Sequence, residues 1–205
     1  MATKFPLQKA HPWHGISPGE ECPQVVTAFI EIVPGDTIKY EIDKASGYLK
    51  VDRPQLYSNV APLLYGFIPQ TYCWNEVAKL ANVEKGDGDP LDIVVLCERP
   101  ISHGDIILKA IPVGGLRMID KGEADDKIIA VLVGDAAYSY IKTIDDIPPM
   151  LLNRLRHYFM TYKLSPETGN TPVEIEAEYG AETAHEVIRA SLRDYETLVM
   201  PGGTT

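Results

Sequence analysis

Basic side chains are scarce in this chain: 19 Lys and Arg stand against 29 Asp and Glu, a formal net charge of −10. Affinity for nucleic acid rests on Lys and Arg neutralising phosphates, so this balance excludes a polyanion as the expected partner and suits a protein that collects cations. Cysteine is sparse too. Cys22, Cys73 and Cys97 form no CxxC pair and are odd in number, which argues against a disulfide framework or a zinc ribbon and leaves packing or incidental thiols. Long apolar runs are missing, and nothing approaches the ~20 residues of a membrane span. The opening MATKFPLQKAHPWHG lacks the apolar core of a signal peptide. The expectations are therefore a cytoplasmic protein with no membrane and no nucleic-acid partner.

At 205 residues the chain suits one sizeable domain, 1–205, long enough to bury a core. VVTAFIEIVPGDTIKYEI (25–42) reads as two β-branched runs split by PGD, and KASG then turns the chain into YLKVDR, which predicts a meander. LDIVVLCE, DIILKAIPVGGLRMID and DKIIAVLV add strand-like runs separated by Gly, Pro and Asp clusters. Short strands with no helical pattern between them predict an antiparallel barrel or a sandwich. The period then changes. Leu151, Leu152, Leu155, Tyr158, Phe159 and Tyr162 share one face of a predicted amphipathic helix. Ala184, Val187, Ile188, Ser191, Leu192, Tyr195 and Leu198 share one face of a second, over about 181–199, and PVEIEAEYG between the two alternates like a half-buried strand. The tail 200–205, PGGTT with the Met before it, reads as flexible.

Two acidic stretches carry the chemistry. EKGDGDPLDIVVL places Asp87, Asp89 and Asp92 at the mouth of a strand, and IDKGEADDK places Asp120, Asp125 and Asp126 between two strands. Taken singly, each also reads as a turn or a solvated loop, since Asp-Gly is among the commonest turn dipeptides. Brought to one rim, six aspartates would balance three divalent ions. Hard cations such as Mg²⁺ take oxygen ligands, keep several waters and commonly bridge one or two carboxylates to substrate phosphates. An EF-hand counted from Asp87 puts Glu98 at position 12 but Asp92 where Gly is required, and is rejected. Phosphate ligands would require facing cations and phenols. Lys39 with Glu41, Arg53, Tyr162 and Lys163 are the candidates.

Together, IEIVPGDTIKYEIDKASGYLKVDR, LYGFIPQT, GDGDPLDIVVL, GLRMIDKGEADDKIIAV and HYFMTYK resemble, in order, the motifs of the family I soluble inorganic pyrophosphatases over 25–163. The resemblance implies a mainly β fold with flanking α-helices (α+β), a five-stranded OB-type β-barrel, and Mg²⁺-dependent hydrolysis of pyrophosphate to two phosphates with several Mg²⁺ per active site. It implies that Asp87, Asp92 and Asp120 hold the metal pair that activates the attacking water, with Asp89 accepting its proton. Asp120 and Asp125 would hold a further Mg²⁺, and Glu31 would ligate a metal or orient its water. Lys39, Arg53, Tyr65, Lys127, Tyr162 and Lys163 would cradle the phosphates, while Glu41 would orient its neighbours. A homo-oligomer is implied as well. The chain departs from the pattern in VAPLLY, with Ala61 and Leu64 where many members carry Tyr and Asn, and in a longer stretch, YCWNEVAKLANVEKG, in which Trp74 is expected to pack. His11 and His14 have no carboxylate partner in sequence and read as structural or surface groups. A non-catalytic OB-fold binding module would need basic and aromatic residues where this chain offers acids. A catalytically silent relative and a nucleotide hydrolase are the other rivals.

Overall fold

The computed structural model describes residues 9–164, 167, 169 and 171–199, so the expected flexible tail 200–205 lies outside the described residues. Strand β1 (Val26–Ile32) pairs antiparallel with β4 (Leu64–Phe67), and β4 with β5 (Asp92–Leu96). β5 runs parallel to β8 (Lys127–Leu132), β8 antiparallel to β6 (Ile106–Asp120), and β6 returns to β1. The five strands close on themselves, so the mainly β fold with flanking helices is the one expected. β6 can serve four neighbours because it is 15 residues long and its register shifts between Pro112 and Gly114, where the ring Pro lacks a ladder N–H. Its far half then pairs with β7 (Glu123–Ala124) and β9 (Val173–Gly180).

The apolar runs of β5 and β8 are continuous because both of their faces are covered. Ile93, Val95, Ile128 and Ala130 pack with Val77 and Ala81 of α1 (Asn75–Ala81) and with Ala184, Val187 and Ile188 of α3 (Ala181–Leu198). Val94, Leu96, Ile129 and Val131 pack instead with Leu155, Tyr158 and Phe159 of α2 (Pro149–Thr161).

Three local expectations differ from the structure. The meander fails at its first link: β2 (Ile38–Ile42) pairs only with β3 (Leu49–Pro54), forming a two-stranded sheet apart from the barrel, because β1 already has β4 and β6 on its two edges. The stretch after Trp74, expected as loop, forms α1. On α3, Leu198 is 43% exposed while Asp194 is 2% exposed. The buried carboxylate accepts the backbone N–H groups of Trp74 (3.0 Å), Glu76 (3.0 Å) and Val77 (3.2 Å) at the start of α1. It thereby replaces the missing local cap, since Trp74 supplies no side-chain hydrogen bond.

Candidate active site

Register brings the two acidic stretches together. Because β5 and β8 are parallel neighbours, Asp92 sits opposite Lys127 at the end where both strands begin. Asp120 and Glu123 face each other across the β6–β7 hairpin, whose two turn residues, Lys121 and Gly122, both have positive φ (52° and 84°). That is the left-handed pair that a two-residue hairpin turn demands. In the other stretch, Gly88 (φ +75°) gives the bend between Asp87 and Asp89, and a Cβ there would meet the Tyr72 hydroxyl at 3.3 Å. The loop is fastened by Cys73 N–H to Asp89 carbonyl (2.8 Å) and Gly88 N–H to Cys73 carbonyl (3.0 Å).

At this end of the barrel lies a cavity of about 360 Å³ whose walls include all twelve expected site residues: Glu31, Lys39, Arg53, Tyr65, Asp87, Asp89, Asp92, Asp120, Asp125, Lys127, Tyr162 and Lys163. Glu41 lines it as well, and so do Lys44, Asp52, Lys121 and Glu123, which sequence reasoning did not place there. Asp126, counted with the cation-balancing aspartates, is elsewhere. It is buried against Tyr179, whose hydroxyl donates to Oδ1 at 2.8 Å, with Arg117 Nε 3.8 Å away. Asp125 and Asp126 form the two-residue link between β7 and β8, and there, as on a strand, successive side chains point to opposite sides.

Charge in the cavity is arranged in local pairs. Lys127, 1% exposed, donates to both Asp92 and Asp125. Burial alone would pull its ammonium pKa down, but those carboxylates hold it well above the ordinary lysine value. Lys163 donates to Asp120 Oδ2, and its ammonium stands 5.0 Å from the Tyr162 ring centroid. Tyr65 donates to Asp92 Oδ2 at 2.6 Å. Burial, with the Asp92 charge adding to it, keeps that phenol un-ionised. On the hairpin, Lys39 donates to Asp52 (2.7 Å) and Glu41 (3.1 Å). Burial opposes its charge, but the two carboxylates outweigh burial and raise its pKa. Arg53 makes only a 3.4 Å hydrogen bond to the Pro54 carbonyl and a 4.0 Å approach to Asp52.

Glu31 plays a different part from the one its chemistry suggests at first. It is 7% exposed and its Oε1 accepts the Ile42 backbone N–H at 2.7 Å. It therefore ties β1 to β2, two strands that share no ladder. Burial pushes its carboxyl up to about 8, against that hydrogen bond, and the nearby Asp92 charge pushes the same way. Asp87 is raised as well, by burial first and then by Asp125.

These residues fit a hard divalent cation. Asp120 Oδ1 is buried with no hydrogen-bond partner among the described residues, and burial together with mutual repulsion disfavours the negative charge of Glu31 and Asp87. A cation relieves both conditions. Among the described residues no three Asp, Glu, His or Cys side chains converge on one point at ligand spacing. The carboxylates are instead distributed around the cavity wall.

None of the departures from the expected motifs lines this cavity. Ala61 and Leu64 are both 2% exposed and belong to the core. Trp74 packs on Tyr72, centroids 6.0 Å apart. His11 and His14 stack on each other at 4.6 Å, and His14 Nδ1 lies 2.8 Å from the Tyr195 hydroxyl, so both are structural. Phe159, 1% exposed, is core.

Comparison with known proteins agrees with this geometry. The family model described as inorganic pyrophosphatase matches residues 28–196. The inorganic pyrophosphatase of Chlamydia muridarum is 45% identical, over 97% of this chain and 100% of that protein, and that of Chlamydia caviae is 47% identical over 95% of each. The crystal structure of the Thermus thermophilus inorganic pyrophosphatase superposes with a TM-score of 0.77 at 31% identity, covering 92% of this chain and 99% of that one. The chain belongs to the inorganic pyrophosphatase family of hydrolases.

Proposed function

We propose that this protein hydrolyses inorganic pyrophosphate to two phosphates in a Mg²⁺-dependent reaction in which water attacks phosphorus directly. The observation that carries the proposal is one cavity in which carboxylates from the barrel end meet Lys39 and Arg53 of the hairpin and Tyr162 and Lys163 beyond α2. Asp87, Asp92, Asp120 and Asp125 would hold Mg²⁺, which would supply a water of lowered pKa and a counter-charge for phosphoryl oxygens. Lys39, Arg53 and Lys163 bind those oxygens through charge-assisted hydrogen bonds, exchanging their carboxylate partners for the substrate. Tyr65 fixes one oxygen of Asp92 and Lys127 ties Asp92 to Asp125, so the acidic wall is pre-organised before substrate arrives. Asp89, its side chain half-exposed at the cavity, takes the proton of the attacking water. Glu31 holds the β2–β3 hairpin, and with it Lys39 and Arg53, against the barrel.

The same reading makes the protein a cytoplasmic homo-oligomer without nucleic-acid or membrane partners. The net charge of −10 supports the exclusion of nucleic acid, and no helix among the described residues is long and apolar enough to cross a membrane. A mainly apolar groove at the start of α2, lined by Tyr138, Pro148, Met150 and Leu151 with Met150 77% exposed, supports association between copies.

The deciding assay is phosphate release from pyrophosphate and, separately, from ATP, with and without Mg²⁺, by the wild type and Asp89→Asn. Mg²⁺-dependent release from pyrophosphate alone, lost in the variant, is expected. A wild type that releases no phosphate with any divalent metal would sink the proposal.

A further inference from the structure

Lys44 lines the cavity without any assigned part in it. It stands in the β2–β3 turn, pairs with Asp89 Oδ1, and lies 3.3 Å from the Gly88 carbonyl and 5.9 Å from the Trp13 ring centroid. A lysine has a long, mobile stem and holds a partner in place only if it is held itself. Here the turn that carries it is pinned. The Nδ1 of His11 accepts the backbone N–H groups of Trp13 (3.2 Å) and His14 (3.3 Å), and its Nε2 lies 3.2 Å from the Lys44 carbonyl. One neutral tautomer, with the proton on Nε2, satisfies all three contacts.

The fit between the two segments is close. A Cβ on Gly47 would come within 2.8 Å of His11 Cδ2 and Pro12 Cδ. Residues 11–14 are in turn fastened to the chain leading into the acidic loop. The Trp13 indole donates to the Thr71 carbonyl (2.8 Å), Gln70 N–H donates to the Trp13 carbonyl (2.9 Å), and the Gln70 side-chain amide donates to the His14 carbonyl (3.2 Å). The hairpin shares no ladder with the barrel, so its place is set by contacts such as this strap, the Glu31 hydrogen bond and the packing of Ile42 with Phe29 and Phe67.

We propose that Lys44 is a positioning residue for Asp89, and that the His11–His14 segment is the strap that sets it. The proposal rests on the reading above, in which Asp89 accepts the proton of the attacking water. Pinning Oδ1 from the hairpin side limits the directions that carboxylate can face, and it couples the phosphate-binding hairpin to the loop that carries the base. Misplacing a catalytic group by about 1 Å costs on the order of 10²-fold in rate.

The test compares wild type, Lys44→Met, Lys44→Arg and His11→Ala in the full chain, measuring kcat and KM for pyrophosphate at saturating Mg²⁺ and amide hydrogen exchange over residues 43–47. Lys44→Met is expected to lose about tenfold or more in kcat with KM within about threefold, and Lys44→Arg to recover most of the loss. His11→Ala is expected to lose less activity and to speed exchange over 43–47 while β5 stays protected. An unchanged kcat in Lys44→Met with an active wild type overturns the proposal. So does a rise in KM alone, which would make Lys44 a substrate ligand. Unchanged exchange over 43–47 in His11→Ala overturns the strap, even if the wild type proves inactive on pyrophosphate, a result that would count against the proposed reaction instead.

Discussion

Asp194 on α3 caps Val77 on α1 across 117 residues of sequence, its Oδ2 accepting the Val77 N–H at 3.2 Å as well as those of Trp74 and Glu76. α1 is seven residues long, too short to persist alone, and it leads directly into the acidic loop. Replacing Asp194 with Ala leaves three backbone N–H groups without this acceptor, two of them part-buried and that of Val77 buried. The expected cost is about 2–3 kcal/mol, from the lost cap and the charge-assisted bonds. Urea denaturation of Asp194→Ala and wild type checks this, and a difference below about 0.5 kcal/mol would show that water or a shifted α1 replaces the cap.

Lys127 separates two carboxylates in the core. Lys127→Met keeps most of the volume but leaves Asp92 and Asp125 with no cation between them. Removing one partner of a buried ion pair costs about 3–5 kcal/mol. A lower melting temperature in EDTA is therefore expected, with partial recovery on adding Mg²⁺. Equal melting temperatures for variant and wild type in EDTA would contradict the pairing.

Tyr65→Phe removes one hydroxyl and little packing. The lost hydrogen bond to Asp92 is to a charged acceptor, worth about 1.5–3 kcal/mol, so kcat for pyrophosphate should fall about tenfold to a hundredfold. Steady-state kinetics beside thermal melting separates this from unfolding: a loss of that size should lower the melting temperature by roughly 3–12 °C, while the variant stays folded at the assay temperature.

The metal-free protein should lose stability as pH rises. Burial outweighs the Ile42 hydrogen bond and lifts Glu31 from its ordinary 4.5 to about 8, and Asp87 is lifted too. Between those pH values the folded chain holds protons that the unfolded chain has released, so stability is highest near the acid end of the window and declines toward pH 8. Mg²⁺ takes the place of those protons and should flatten the decline, adding about 2.7 kcal/mol at a hundredfold excess over its Kd. Melting curves from pH 5 to 8 in EDTA and in Mg²⁺ test both halves. A metal-free curve that climbs through this window would refute the account.

Much of the site could be read from residue types and spacing because its acids lie in two short stretches, each leading into an apolar strand. Asp92 and Lys127 begin the solid apolar runs DIVVL and KIIAVL, and Asp120 and Glu123 flank a Lys-Gly turn. Asp126 shows the limit of such reading. Composition makes it the equal of Asp125, yet alternation along the β7–β8 link turns it toward Tyr179. Lys44 and Asp52 were missed because a lone Lys or Asp in a hairpin looks like a solvated face, and only the way the hairpin folds back on the barrel end brings them to the cavity. α1 was missed because Trp74 stands at its N-cap and Asn75 lies one position too late to cap it; the acceptor that replaces the cap is Asp194.

By itself the sequence determined what is local: the strands other than β4 and β7 and the two long amphipathic helices from their periodicity, the acidic turns from their glycines, and the family from five motifs in order. Tertiary structure decided what is long-range. It chose β4 and β6 rather than β2 as partners of β1, assigned Glu31 to hold the hairpin through Ile42, and joined the His11–His14 strap to Lys44. The reason is physical. Periodicity and turn chemistry act over a few residues, whereas edge pairing and buried hydrogen bonds depend on which groups remain unsatisfied once the whole chain has packed.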